Sequence, residues 1–299
     1  MMTLRLLLAF ACIFCQINTV LAEPAPKQTK TIPQLVGVDN SNKLIDLQAM
    51  KGKTVLLTFY SVSCGICERD IKLMREFYRN YNIVNFPFGN TGAQMGGWFR
   101  KPFKSLAEFK GTKFRVGGFA GKVIERLGGV PQNLPAGEIY QALEKGTVDA
   151  AEWIGPYDDL KLGFYKVAKH YAYPAWWEGG PQLDLYVNTK VWDSLSAEHK
   201  AIIDAAATYT HIDIQAKYDY RNAFALKQLV AGGAQLFPLP KDMTDAAFKA
   251  SEELYADLSA KNPNWKKVYA DYSAWRREAN IWFRVTEARF DSFMQSAKL

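Results

Sequence analysis

Two groups of side chains in this sequence have the type and spacing to do chemistry. The first is Cys64-Gly65-Ile66-Cys67, whose thiols can cycle between dithiol and disulfide in an oxidising compartment. The second runs from Gln94 to Glu178 and holds Gln94, Arg115 and two Glu/Trp pairings, Glu152-Trp153 and Trp176-Trp177-Glu178. An arginine fork pairs bidentately with a carboxylate, a strong and geometrically selective contact. A glutamine amide can donate to or accept from the same oxygens. The rings of Trp153, Trp176 and Trp177 can wall the apolar end of a small ligand. By contrast, His170, His199 and His211 have no metal-ligand spacing, and no nucleophile–histidine–acid set stands out.

The elements that must carry these residues are legible in part. Thr54 to Tyr60 is β-branched and apolar, which reads as a buried strand. After the cysteines, Ile71, Met74, Phe77 and Tyr78 recur at helical spacing to about Tyr81. A strand, Cys-x-x-Cys and a helix in that order place the first thiol at a helix N-terminus, whose partial positive charge stabilises a thiolate. Further on, Asn90 to Phe99 is glycine-rich and reads as a loop; it lacks the Gly-Lys-Ser/Thr ending of a phosphate cradle. Ser105 with Glu108 three residues on caps a short helix ending at Gly111, and Lys113 to Val116 reads as a strand delivering Arg115. Helices are expected over Ala120–Leu127, closed by Gly128-Gly129, and over Gly137–Glu144, closed by Gly146. Such strand–helix alternation predicts an α/β sheet. Ala197 to Ala231 and Asp245 to Leu299 read as largely amphipathic helix, with Trp275, Ile281, Trp282, Val285, Phe290 and Phe293 along the last one.

Composition narrows the class. The chain has 299 residues, 48% hydrophobic and 22% charged, as a folded protein of one large or two ordinary domains would. Its net charge of +7 comes from scattered Lys and Arg nearly matched by Asp and Glu, with no basic run, which argues against nucleic acid. Arg5, the apolar run Leu6–Phe14 and Val20-Leu21-Ala22 form a secretory signal over 1–22, so the mature chain is expected in the periplasm. Cys12 and Cys15 would be removed with it, leaving Cys64 and Cys67.

Lys51 through Glu68 resembles exported thioredoxin-like thiol–disulfide oxidoreductases, and residues 23–82 read as a truncated segment of that kind. The resemblance makes Cys64 the attacking thiol and Cys67 the resolving one. The sequence departs from the pattern at Ser63, where tryptophan is usual, and at Ile66, where proline is usual. After Tyr81 the remainder of that fold has no counterpart. A structural or inert cysteine pair is the alternative to redox activity.

Gly111–Arg115, followed by Leu134-Pro135-Ala136-Gly137-Glu138-Ile139-Tyr140 and on to Asp149-Ala150, is similar to the DctP family. These are the extracytoplasmic receptors of tripartite ATP-independent periplasmic (TRAP) transporters. Gln94 to Arg100, Glu152-Trp153-Ile154-Gly155-Pro156 and Trp176-Trp177-Glu178 look like the branch that binds 2-oxo acids or related monocarboxylates with a metal cation. The resemblance covers roughly 85–299, so the domain boundary is set at 82/83. It implies a two-lobed, periplasmic-binding-protein-like α/β fold, type II-like, lacking its opening third. It further implies a receptor rather than an enzyme, serving TRAP membrane subunits, with a C-terminal helix that can pair two copies. Arg115 and Gln94 would hold the ligand carboxylate, with Trp153 and Trp177 beside it. Glu152 and Glu178 would repel an anionic ligand unless a cation lies between. Both glutamates, the Gln94 oxygen and a carbonyl near Trp153 make an all-oxygen shell suited to Na⁺ or Ca²⁺ rather than zinc, with no organic cofactor. A thiol–disulfide oxidoreductase acting through Cys64 and Cys67 is the alternative reading, and a fusion without either activity is a further one.

Overall fold

The computed structural model describes residues 36–38, 44–46 and 74–297. Cys64 and Cys67, the strand expected over 54–60 and the leader over 1–22 lie outside the described residues. The chain divides into two units, Met1–Leu57 and Thr58–Leu299. In the first, β1 (Val36–Val38) pairs antiparallel with β2 (Leu44–Asp46). The second contains everything below.

Helix α1, residues 74–79, turns through Asn82 (φ 58°) into β3 (Ile83–Asn90). β4 (Gly97–Phe99) follows, then α2 (Leu106–Phe109), β5 (Lys113–Arg115), α3 (Gly118–Arg126), β6 (Val130–Gln132), α4 (Ala136–Lys145) and β7 (Ala150–Ala151). α5 (Pro156–Leu162), a 3-10 turn at Phe164–Lys166, β8 (His170–Tyr173), β9 (Gln182–Asn188) and α6 (Thr189–Ser194) come next. The remainder is α7 (Ala197–Ala231), β10 (Gln235–Pro238), α8 (Lys241–Lys261), α9 (Pro263–Val285) and α10 (Glu287–Ser296).

Local chemistry accounts for many of these boundaries. The Ser105 hydroxyl accepts from the Glu108 N–H at the start of α2, and Gly146 (φ 72°) closes α4 in the left-handed conformation that glycine adopts without strain. The expected C-terminal helix is three helices. Asn262 caps α9 by accepting from Trp265 N–H at 3.0 Å, and Pro263 stands at the first turn, where its missing N–H costs nothing. A second break at Thr286 separates α9 from α10, so the apolar residues expected along one helix lie on two.

Six strands form one sheet in the order β10-β8-β4-β7-β5-β6. β8, β10, β5, β6 and β7 run one way, and β4, antiparallel to both β7 and β8, runs against them. Adjacent residues point to opposite faces, and both faces are covered. Phe99, Phe114, Ala150 and Ala172 meet α3 and α8 through Ile124, Met243 and Leu254. Trp98, Ala151 and Tyr171 meet α4, Phe164 and α7 through Ile139, Leu143 and Leu229. Two-sided burial explains why β4 reads as loop: three residues, all buried, carry no alternation.

A second, smaller sheet pairs β3 with β9 antiparallel, Ile83 opposite Asn188 and Asn90 opposite Gln182, with an irregularity between Pro87 and Gly89. α7 packs across β3 so closely that a Cβ on Gly89 would stand 3.0 Å from the Ile214 Cδ1. Among the described residues this sheet has two strands, and Leu183, Tyr186, Tyr209 and Ile212 on β9 and α7 are exposed. The chain passes between the two sheets through 91–96 and 174–181, which carry Gln94 and Glu178.

The fully buried Ile139 and the exposed Ile202 test this division of burial. Ile139→Ala should cost about 2–5 kcal/mol in urea unfolding. Ile202→Ala should stay within about 0.5 kcal/mol of the parent.

Candidate functional site

Four chain segments meet at one end of the six-stranded sheet. Because β4 opposes its neighbours, its amino end lies beside the carboxyl ends of β5, β6, β7 and β8. The side chains there are Arg115 at the end of β5, Glu152 and Trp153 after β7, Gln94 before β4, and Glu178 beyond β8. In open α/β sheets the crevice outside the strand carboxyl ends is where ligands bind.

Backbone hydrogen bonds fix these segments to one another. Glu152 N–H donates to Arg115 O at 2.9 Å, Met95 N–H to Ile154 O at 3.3 Å and Gln94 N–H to Glu178 O at 3.2 Å. Ala175 N–H in turn donates to Gln94 O at 3.2 Å. Each functional side chain is thus within one residue of an inter-segment bond.

The Arg115 guanidinium is pinned from behind. Nη1 donates to Glu152 O at 2.7 Å and Nε to Leu134 O at 3.3 Å, while the guanidinium carbon lies 5.2 Å from the Trp153 ring centre. With two of its five N–H groups on carbonyls, the fork retains N–H groups for a carboxylate. Nη1 is 3.8 Å from Glu152 Oε2, an ion pair without a direct hydrogen bond. Burial pushes the Arg115 pKa down, and the charge of Glu152 opposes that shift.

The acids carry a complementary strain. Glu152 is 6% exposed, and burial first, then the neighbouring Glu178, pushes its pKa to about 8 despite Arg115. Burial also raises the pKa of Glu178. Gln94 lies between the two segments. Its Nε2 donates to Thr91 Oγ1 at 2.9 Å, which turns its oxygen toward Glu178 Oε2 and the Ile154 carbonyl. Turned over, the amide would donate to both of those oxygens and accept from Thr91. Thr91 satisfies either orientation. The turned-over orientation satisfies these contacts without a cation, whereas the first sets the amide oxygen beside two other oxygens and suits a bound positive charge. Among the described residues no three His, Cys, Asp or Glu side chains converge, so a cation here would rely on two carboxylates and neutral oxygens. That set fits a hard ion.

The tryptophans divide between the two faces of the sheet. Trp153 packs with the core on the α4 side, beneath Arg115. Trp177 packs with the core on the α8 side, its ring edge-on to Phe114 at 6.4 Å. Sequence reasoning missed Thr91 and Asp159. The latter is a buried acid in the first turn of α5, where an acidic residue is ordinary and carries no signal of its own.

The family described as DctP, bacterial extracellular solute-binding protein, family 7, matches residues 67–262. Over 225 residues the chain is 44% identical to the monocarboxylate 2-oxoacid-binding periplasmic protein of Nostoc sp., covering 75% of this chain and 62% of that protein. The chain therefore spans less than two thirds of that relative's length. A TRAP transporter solute-binding protein from Bordetella bronchiseptica is 47% identical, with a TM-score of 0.73 over 76% of this chain and 67% of that one. Its structure is a mixed-occupancy dimer with copurified calcium and picolinate in the active site. A TRAP periplasmic solute-binding protein from Pseudoalteromonas atlantica, with bound sodium and pyruvate, is 36% identical, with a TM-score of 0.71 over 76% and 69% of the two chains. A separate stretch of 52 residues, 17% of this chain and 30% of the relative, is 38% identical to the thiol-disulfide oxidoreductase ResA of Bacillus anthracis.

The raised acids give stability a defined pH dependence in the cation-free protein. Glu152 holds its proton more tightly folded (about 8) than at its ordinary value of 4.5, so the folded state binds more protons between those values. Its contribution is full below about pH 4.5 and is lost as pH rises through about 8. Unfolding free energy from urea titrations should fall over that window, and Glu152→Gln should flatten the fall. An unchanged slope in Glu152→Gln would place the titrating group elsewhere.

Proposed function

Given that the chain belongs to the DctP family of bacterial extracellular solute-binding proteins, family 7, we propose that it is the binding component of a TRAP transporter, taking a small 2-oxo or related monocarboxylate together with Na⁺ or Ca²⁺. The observation that carries this reading is the pairing of a backbone-anchored arginine with two glutamates whose pKa values burial raises and with the Gln94 amide between their segments. Arg115 binds and orients the ligand carboxylate through the N–H groups its two carbonyl contacts leave over. Glu152, Glu178, Gln94 and a carbonyl of the Trp153–Ile154 segment hold the cation, and Trp153 and Trp177 border the ligand's apolar end. The cation supplies the charge that lets both glutamates ionise beside an anion. Gln94 turns its oxygen to a bound cation, and its nitrogen to Glu178 in the cation-free state. Calcium with picolinate and sodium with pyruvate in the related structures support this assignment.

The mature chain acts in the periplasm after removal of residues 1–22, delivering its ligand to membrane subunits. Among the described residues no helix is long and apolar enough to cross a membrane. Residues 23–82 form the thioredoxin-like segment and 83–299 the receptor region. Two copies pair through α9 and α10, which have no buried residue and expose Ile281, Trp282, Val285, Phe290 and Phe293. The dimer in the Bordetella bronchiseptica structure supports that pairing. A second reading, thiol–disulfide exchange at Cys64 and Cys67, is favoured by the stretch similar to ResA; insulin reduction that disappears in Cys64→Ser would support it.

Calorimetric titration with pyruvate tests the main reading. Saturable binding is expected with Ca²⁺ or Na⁺ present and far weaker binding without either. Removing the arginine leaves the carboxylate unpaired, so Arg115→Ala should lose about 2–5 kcal/mol of pyruvate affinity. Equal pyruvate binding by parent and Arg115→Ala would remove Arg115 as the anchor.

A further inference from the structure

A single buried carboxylate ties together the three chain segments that carry the proposed cation ligands. Asp159, on α5, is 1% exposed. Its Oδ2 accepts from Trp98 Nε1 at 2.9 Å and from Tyr171 OH at 2.7 Å, and its Oδ1 accepts from the Ile154 N–H at 3.4 Å. Trp98 and Tyr171 face each other across β4 and β8, their rings stacked 3.8 Å apart and 10° from parallel.

The sequence positions of these three donors give the contact its meaning. Trp98 lies four residues after Gln94, Tyr171 seven before Glu178, and Ile154 two after Glu152. The 94–98, 152–154 and 171–178 segments therefore share one acceptor, seated on the α4 side of the sheet behind the site. We propose that Asp159 is the positioning residue of the cation site: by accepting from all three donors it holds Gln94, Glu152 and Glu178 within reach of one ion. The proposal rests on the receptor reading above.

Packing alone does not account for an acid here. Among the described residues no lysine, arginine or histidine pairs with Asp159, and a buried carboxylate without a cationic partner is costly relative to a well-packed apolar residue. Nor does an amide replace it. Asparagine has one acceptor oxygen, and its NH₂ group would face the Ile154 N–H, donor against donor. A carboxylate accepts from three donors on two oxygens; burial pushes the Asp159 pKa up to about 7, and the hydrogen bonds from Tyr171, Trp98 and Ile154 oppose that shift by favouring the ionised form. Groups that orient metal ligands from behind act in this manner.

The test compares the full mature parent chain with Asp159→Ala, Asp159→Asn and Leu254→Ala. Leu254 is a buried residue of α8 on the opposite face, which controls for general loss of stability. Hydrogen exchange is followed in peptides covering 94–98, 152–155 and 171–178, and Ca²⁺ affinity is measured by calorimetry in the presence of pyruvate. Asp159→Ala should speed exchange in all three segments together and weaken Ca²⁺ by about 10–100-fold. Asp159→Asn, which keeps one acceptor oxygen and carries the test if the alanine variant does not fold, should shift both readouts part of the way. Leu254→Ala should shift neither. Faster exchange confined to α5, the same pattern in Leu254→Ala, or parental Ca²⁺ affinity in a folded Asp159 variant would overturn the proposal. Coupled exchange in a protein whose parent takes up neither Ca²⁺ nor pyruvate would leave the anchoring role standing and reject the receptor reading instead.

Discussion

Two glutamates brought together beside an arginine, one of them buried, set the terms for everything around them. Burial raises the pKa of both Glu152 and Glu178, and the charge of Glu178 raises that of Glu152 further. One arginine does not relieve this, because Arg115 directs its shortest hydrogen bond to the Glu152 carbonyl and stands 3.8 Å from the carboxylate. The acids are therefore relieved either by protons or by further positive charge. In the proposed assignment a cation between the glutamates would satisfy the acids, the Gln94 oxygen and an anionic ligand at once. The ligand carboxylate would complete the arginine's hydrogen bonding, so that cation and ligand would each favour binding of the other.

The fold meets this demand through one reversed strand. With β4 antiparallel among five codirectional strands, the segment entering it emerges beside the segments leaving its neighbours. Gln94 is thereby placed against Glu178 and Ile154, although its sequence distance to Glu178 is larger than that from Arg115 to Glu152. Backbone hydrogen bonds then hold each pair of segments. The Trp98–Tyr171 stack, with both rings donating to Asp159, sets their depth on one face of the sheet. Phe114 and Trp177 flank the crevice from the other face. Trp153 and Trp177 are both only partly buried.

Much of this was readable from residue types alone, and the reason differs by element. Helix ends carry local chemistry, so Ser105, Gly146 and the 197–231 span emerge where the sequence places them. Asn262-Pro263 is an equally local signal, and it divides what reads as one amphipathic run. β4 was not legible, because Trp98 and Phe99 are buried on opposite faces and leave no alternation, while the surrounding glycines suggest loop. Arg115, Glu152, Glu178 and Gln94 could be named from their chemistry and from family resemblance. That they share one end of one sheet is a matter of strand order and direction, which no local pattern encodes. Asp159 was invisible for a related reason: its donors are 61 and 12 residues away, and an acid in the first turn of a helix is commonplace.

Terbium luminescence tests the convergence of these oxygens most directly, since Tb³⁺ takes calcium-type oxygen sites and emits when a nearby excited indole transfers energy to it. With Trp153 beside the crevice, excitation of the mature chain at indole wavelengths should give sensitised terbium emission. That emission should be displaced by excess Ca²⁺, altered by pyruvate and lost in Glu178→Gln. A folded chain that gives no sensitised emission, or whose emission survives unchanged in Glu178→Gln, would contradict the account: the acids would then be neutralised by protons alone.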